Sequence, residues 1–216
     1  MKLMRIDSSI TGAASASREL TDSFTRAWLG TAPATRVISR DVGQIPVPHL
    51  DGQRLAALAA DGRDPTPDQE QVIDDSERFI SELEQADALV VGMPMYNFHA
   101  PSGFKAWFDH VARAGRTFNY TASGPVGLLK DRPVHILATR GGVHEGADSD
   151  LQTPWLEQTF ALLGIRDLRF VYAEGLNLSD MDRKRAMNRA RVLVESAAMT
   201  GAECLLEDER IRREAI

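Results

Sequence analysis

Apolar residues in this chain come in two textures: short continuous runs, and longer stretches where they return every three or four positions. The runs at 2–7 (KLMRID), 34–41, 88–93 (ALVVGM), 133–139 and 168–173 predict strands. The run at 88–93 is almost unbroken, as in a strand covered on both faces of a parallel sheet. Helical spacing marks 16–28, with Leu20, Phe24 and Ala27 on one face, and 102–113, with Phe104, Trp107, Phe108 and Val111. It also marks 154–163 and 181–198. Pro46 and Pro48 break the chain after the second strand. A short apolar-faced helix is predicted over 50–60, stopping at Gly62. Thr66-Pro67-Asp68-Gln69 then reads as a helix start, with a hydroxyl cap, a proline in the first turn and Gln at the third position. Val72, Ile73, Phe79, Ile80 and Leu83 follow on its apolar side. The segment 115–129, with Gly124 and Pro125, reads as a loop or a small hairpin.

Five strands alternating with helices predict an α/β fold: a doubly wound, five-stranded parallel sheet with helices on both faces, over a single domain spanning 1–216. The expected strand order is 2-1-3-4-5. In such sheets ligands sit beyond the carboxyl ends of the strands, at the switch point between strands one and three.

Composition narrows the function classes. A net charge of −6 argues against a nucleic-acid surface, which needs a basic patch. No apolar run approaches the ~18 residues of a membrane span, so no membrane partner is expected. The opening MKLMRIDSS lacks the apolar core of a secretory signal, and a cytoplasmic protein is expected. The single Cys204 excludes an internal disulfide framework and any multi-cysteine metal site, and it reads as packing filler. No metal is expected.

The switch-point rule selects three segments. The first, Ser8-Ser9-Ile10-Thr11-Gly12-Ala13-Ala14-Ser15-Ala16-Ser17, carries five hydroxyls, no basic residue, and opens a helix. Free N–H groups and the helix dipole favour an anion there. It contains neither GxGxxG nor G-x-x-x-x-G-K, so neither a dinucleotide fingerprint nor a P-loop is supported. A capped helix after a polar turn would share the pattern. The second, Met93-Pro94-Met95-Tyr96-Asn97-Phe98-His99-Ala100-Pro101, sets a thioether, two aromatics and an amide at the end of a buried strand, the mixture a flat ring with polar edges requires. The third, Thr139-Arg140-Gly141-Gly142-Val143-His144, pairs glycines that permit close backbone approach to a ligand with a histidine just beyond. The histidines at 49, 99, 110 and 135 lack both such placement and metal-ligand spacing. Together the loops describe a phosphate at the first and a planar heterocycle between the other two. FMN suits this better than a nucleoside triphosphate.

At these residues the chain resembles the FMN-dependent NADH-azoreductases, also described as FMN-dependent NADH:quinone oxidoreductases. SSITGAASAS, GMPMYNFHAPSGFKAWFDHVARAGRTFNYTASGPVGLL, TRGGVH and TPWLEQTFALLGI with FVYAEG carry the resemblance. It extends over essentially the whole chain, and the long central motif is the specific one. It implies a flavodoxin-like homodimer binding FMN non-covalently, with active sites near the dimer interface. It implies that Ser9, Ser15, Ala16 and Ser17 hold the phosphate, and that Met95, Tyr96, Asn97 and Phe98 line the ring and ribityl chain. Thr139, Arg140, Gly141 and Gly142 should meet the polar edge of the ring, and His144 its pyrimidine end, where it would tune the flavin. Many relatives have Ser where Thr139 stands; the hydroxyl is kept. Phe98, Phe118, Tyr120 and Leu162 fall in the segments matching the variable substrate pocket.

The implied activity is ping-pong transfer of two electrons from NADH or NADPH, through FMN, to quinones or to aromatic azo compounds. A flavodoxin-type electron carrier and a flavin reductase supplying reduced FMN are the competing readings. The aromatic segment at 115–129 favours an enzyme, since a carrier needs no substrate pocket.

Overall fold

The computed structural model describes residues 1–59 and 65–214. Five parallel strands form one sheet: β1 (Lys2–Asp7), β2 (Arg36–Asp41), β3 (Ala88–Pro94), β6 (Val134–Thr139) and β7 (Leu168–Ala173), in the order β2-β1-β3-β6-β7. The segment read as a loop or hairpin is a separate antiparallel pair, β4 (Phe118–Thr121) with β5 (Gly124–Gly127), which adds two to the strand numbering. Counting only the main sheet, the order is second, first, third, fourth, fifth.

Every residue of β3 and β6 is buried, whereas the edge strands β2 and β7 are part-exposed. That is why the two central strands read as continuous apolar runs. Side chains alternate between faces along a strand, and each face has its own core. Met4, Ile6, Leu89, Val91 and Ile136 pack under α3 (Pro67–Gln85), α4 (Ser102–Val111) and α5 (Gln152–Leu163). Leu3, Val90 and Leu137 pack under α1 (Ala16–Thr31) and α6 (Asp180–Glu214). Helices therefore cover both faces.

The helix start at Thr66 has the expected form: its hydroxyl accepts the Gln69 N–H while the Gln69 side chain accepts the Thr66 N–H, with Pro67 in the first turn. The short helix α2 is Gly52–Leu58; the expected end at Ala60 and stop at Gly62 lie outside the described residues. Two boundaries need correction. The second strand starts at Arg36, since the 34–35 dipeptide belongs to the turn out of α1, closed by the Thr35 N–H on Ala32 O. The last helix does not stop at 198 but runs to Glu214. Its added turns bury Gly201 and Ala202 over Trp28 and His135; a Cβ on Gly201 would lie 2.9 Å from Trp28 Cζ3. Tertiary packing carries a glycine through a helix that propensity alone would end there.

Candidate functional site

The loops leaving β1, β3 and β6 converge where β1 separates β2 from β3. The first is pinned from both sides. Ser8 Oγ donates to Gly92 O of β3 at 2.7 Å. On the other side Gly43, just after β2, lies so close that a Cβ there would sit 2.1 Å from Ser9 O. Only glycine allows that approach. A short 3₁₀ turn, Gly12–Ala14, leads to Ser15, whose Oγ accepts the Arg18 N–H and caps α1. Ser15 Oγ and Ser17 Oγ are 3.0 Å apart and both residues are buried. The N–H groups of Ala16 and Ser17 stand in the first turn of the helix, with no carbonyl four residues back to bond. Behind this anion-favouring turn lies a buried acid, Asp7. It accepts Thr21 Oγ1 at 2.7 Å, Arg5 Nε at 2.7 Å and Arg18 Nη1 at 3.3 Å. The two guanidiniums offset a charge that would otherwise repel an anion.

The second loop leaves β3 through the Met95 N–H on Thr139 O, then turns back on itself. Tyr96 N donates to His99 O at 2.9 Å, and His99 N to Tyr96 O at 3.0 Å. Asn97 (φ 50°) and Phe98 (φ 66°) are both left-handed. Two positive φ values inside a four-residue closed turn define a type I′ turn, in which the second central position prefers glycine. Phenylalanine there costs on the order of 1–3 kcal/mol and persists only because its surroundings impose it. The turn pushes the Phe98 ring half out of the protein, edge-on to His144 with centroids 5.6 Å apart. Tyr96 reaches back to the first loop, its hydroxyl 3.1 Å from Ser9 Oγ. Beneath the turn, the fully buried Gln152 donates through Nε2 to both Pro94 O (3.1 Å) and His99 O (3.2 Å). His99 stacks obliquely on Trp155, centroids 4.6 Å apart.

The third loop is held by a buried ion network. Arg140 has no exposed side-chain surface; its Nη2 donates to Asp150 Oδ1 (2.9 Å) and its Nη1 to Glu174 Oε1 (3.0 Å). It also bonds Thr153 and lies over the Tyr172 ring at 4.8 Å. Burial alone would push the Asp150 carboxyl up, but the Thr153 N–H and the Arg140 guanidinium outweigh it and hold it below the usual range. Burial pushes the Tyr172 hydroxyl up. Glu174 Oε1 further accepts the N–H groups of His144 (2.9 Å) and Glu145 (3.0 Å). The carbonyls of Arg140, Gly141 and Gly142 are taken by the N–H groups of Leu176, Asn177 and Gly175. Among the described residues, neither the Gly141 nor the Gly142 N–H has a protein acceptor. A Cβ on Gly141 would meet Asn177 Nδ2 at 2.5 Å, and one on Gly142 would meet His144 Nε2 at 2.8 Å.

The structure thus brings together Ser9, Tyr96, Phe98 and His144 through direct contacts, with Thr139 and the glycine pair beside them. Arg140 is present but turned inward: both Nη groups and both backbone groups serve the protein, and Nε, the one group without a partner, is buried. Phe118, Tyr120 and Leu162 stand apart. Phe118 is buried, Tyr120 is largely exposed, and they pack edge-to-face on each other at 5.2 Å. Neither ring contacts Phe98 or His144 in the described chain. Glu174, Asp150, Ser149, Gln152, Asn177 and Gly43 were not anticipated. Glu174, Gln152, Asn177 and Gly43 act across the fold, whereas Ser149 and Asp150 lie five and ten residues from the His144 and Arg140 they meet.

Residues 1–196 match the model of a family described as having a flavodoxin-like fold. A relative from Cellvibrio japonicus, an FMN-dependent NADH:quinone oxidoreductase, is 43% identical over 196 residues, 91% of this chain and 98% of that one. One of the same name from Alcanivorax borkumensis is 42% identical over 191 residues, 88% and 96% of the two chains. Among solved structures, an FMN-dependent NADH-azoreductase from Bacillus anthracis in complex with FMN superposes with a TM-score of 0.85 at 26% identity, covering 93% of this chain and 99% of the other.

Proposed function

As a member of the flavodoxin-like family, in the branch of FMN-dependent NADH:quinone oxidoreductases, this chain is, we propose, an enzyme that binds FMN and uses NADH to reduce quinones. The relatives' shared activity and their coverage of nearly their whole length support that reading. The finer proposals are ping-pong turnover, use of NADPH as an alternative donor, and reductive cleavage of aromatic azo bonds.

The residues present fit FMN. Ser9, Ser15 and Ser17 with the Ala16 and Ser17 N–H groups form an acceptor-hungry turn at a helix N-terminus, suited to a terminal phosphate. Met95, Tyr96, Asn97 and Phe98 offer apolar surface and one amide for the ribityl chain and ring. The Gly141 and Gly142 N–H groups, unpaired and in a cradle that a side chain would fill, suit the carbonyl and nitrogen edge of the ring. Bound FMN would supply two-electron chemistry between NADH and the acceptor. The chain's own residues bind, orient and polarise. The two glycine amides and His144 stabilise negative charge at the pyrimidine end. Phe98, half exposed and edge-on to His144, would shield the site from water and offer a stacking face.

The observation that carries this reading is the strained Tyr96–His99 turn, joined through the Phe98–His144 ring contact to the loop that holds two unpaired glycine amides. Backbone strain and unsatisfied donors in one place mark a ligand site. Anaerobic stopped-flow mixing of the holoprotein with NADH, then with benzoquinone or an azo dye, tests it. Rapid bleaching of protein-bound flavin followed by reoxidation by quinone is expected. Slow bleaching would indicate a flavodoxin-type carrier, and release of free reduced FMN a flavin reductase. FMN should bind more tightly than FAD by calorimetry, because the serine turn closes on a terminal phosphate.

A homodimer is part of the proposal. Tyr120, Val126 and Leu128 stand exposed on or beside the β4–β5 hairpin, and aromatic and apolar side chains presented together are enriched at interfaces. That placement suits a hairpin lending Tyr120, backed by the buried Phe118, to the partner's pocket, beside Leu162. Light scattering should give a dimer mass at micromolar concentration; a fully active monomer would remove this part.

A further inference from the structure

The role of His144 depends on which of its ring nitrogens carries the proton, and Nδ1 meets a side chain that lies outside the three ligand loops' glycine and aromatic residues. His144 Nδ1 lies 2.8 Å from Ser149 Oγ, while Nε2, on the far side of the ring, lies over Gly142, 2.8 Å from where a Cβ there would stand. The intervening segment is pinned at both ends. Glu174 holds the His144 and Glu145 N–H groups, Ala147 N donates to His144 O, Asp150 N donates to Ala147 O, and Arg140 holds Asp150. Ser149 is carried by this closed loop, so its hydroxyl meets Nδ1 without freedom to drift.

A neutral imidazole has one donor and one acceptor nitrogen, and a serine hydroxyl can play either part. Among the described residues Ser149 Oγ has no protein partner other than His144 Nδ1. Within the described chain, Nδ1 is therefore the one acceptor in reach of the Ser149 hydroxyl proton. We infer that Ser149 is a positioning residue that donates to His144 Nδ1 and so keeps the proton on Nε2, making His144 a hydrogen-bond donor toward the pyrimidine end of the flavin. The alternative tautomer would turn a lone pair toward an edge that carries carbonyl oxygens and accumulates negative charge, and would repel it. Protonation of the ring leaves Nε2–H in place, so the donor persists whether His144 is neutral or charged. The outer hydrogen bond fixes the tautomer, the arrangement general for functional histidines.

This inference rests on the proposed FMN site, and its test separates the two. The first readout needs no flavin. In ¹⁵N-labelled apoprotein at a pH where His144 is neutral, two-bond ¹H–¹⁵N spectra should show a bare Nδ1 and a protonated Nε2. Ser149→Ala should populate the other tautomer, while Ser149→Thr, which keeps the hydroxyl, should restore the native pattern. The second readout is the midpoint potential of bound FMN. Ser149→Ala should lower it by part of the drop caused by His144→Ala, Ser149→Thr should leave it near the native value, and Ser149→Ala on top of His144→Ala should add nothing. A native Nδ1–H tautomer overturns the inference. So does a drop in His144→Ala with no change in Ser149→Ala. If His144→Ala leaves the potential unmoved, the flavin role of His144 fails and the inference falls with it.

Discussion

Arg140 and His144 are four residues apart on the same loop and have opposite tasks. Arg140 faces inward, so its replacement should damage the fold before the chemistry. Arg140→Met leaves Asp150 and Glu174 buried without their cation, and breaking such a network typically costs about 3–5 kcal/mol. Urea denaturation of the apoprotein should show that loss, and Arg140→Lys should recover only part of it, since an ammonium cannot reproduce the planar fork. A loss below about 1 kcal/mol would mean that the network is not structural. His144→Ala should be nearly neutral for stability but lower the flavin midpoint potential. One hydrogen bond to a charged group is worth roughly 1.5–3 kcal/mol, and about 30 mV corresponds to ~1.4 kcal/mol for a two-electron couple. Spectroelectrochemistry should therefore find a drop of about 30–65 mV, and an unshifted potential would end this role. Replacing Ser15 and Ser17 together by Ala should weaken FMN binding, each charge-assisted bond being worth about 1.5–3 kcal/mol. Ser15 also caps α1, so up to ~1 kcal/mol of stability should go with it; titration of the variant with FMN checks the first effect and thermal melting the second. At this scale the sequence showed which residues were unusual: five hydroxyls in ten positions, and a glycine pair before a histidine. It did not show that Arg140 turns inward, because Glu174 is brought to it by the β6–β7 pairing and Asp150 by the folding-back of the loop itself.

Elements were legible where local chemistry decides them. The Thr66 cap and the unbroken β3 run follow from neighbours within a few positions. The turn from Tyr96 to His99 was visible as a cluster of aromatics but not as a left-handed turn, since phenylalanine at φ 66° contradicts intrinsic preference. The tertiary clamp of Gln152 outweighs that preference. The extension of α6 was hidden for a similar reason: Gly201 reads as a helix terminator until it is seen against Trp28. Gly201→Ala tests which effect wins. Helix propensity favours Ala by about 1 kcal/mol, whereas a methyl 2.9 Å from a fully buried indole forces repacking that typically costs about 1–3 kcal/mol. Net destabilisation is expected in chemical denaturation; a more stable variant would show that Trp28 yields freely.

For the molecule as a whole, acid sensitivity should trace to a buried residue far from the ligand loops. His135 on β6 is 1% exposed, its two ring nitrogens have no partner, and it packs on Phe24 and Trp28 of α1 and against Gly201 of α6. Burial pushes its pKa from 6.5 down to about 4, with Arg169 adding to the effect and Asp167 opposing it. Between those values the unfolded chain holds a proton that the folded chain refuses. Stability should therefore fall as pH drops through 6.5 toward 4, by up to about 3 kcal/mol, and level off below. His135→Phe should flatten that slope in denaturation curves from pH 7 to 4. An unchanged slope would assign the acid loss to other groups.

The oblique stack of His99 on Trp155 gives the turn an optical signature. The chain has three tryptophans, and Trp28 and Trp107 are wholly enclosed, so their emission should be blue and indifferent to solutes. Trp155 is partly exposed and touches the residue that closes the turn. Its red-shifted emission should change when a ligand settles against the turn. Trp155→Phe should remove that component and leave the blue band in place, so that difference spectra of the two proteins would follow the conformation of one four-residue turn by tryptophan fluorescence alone.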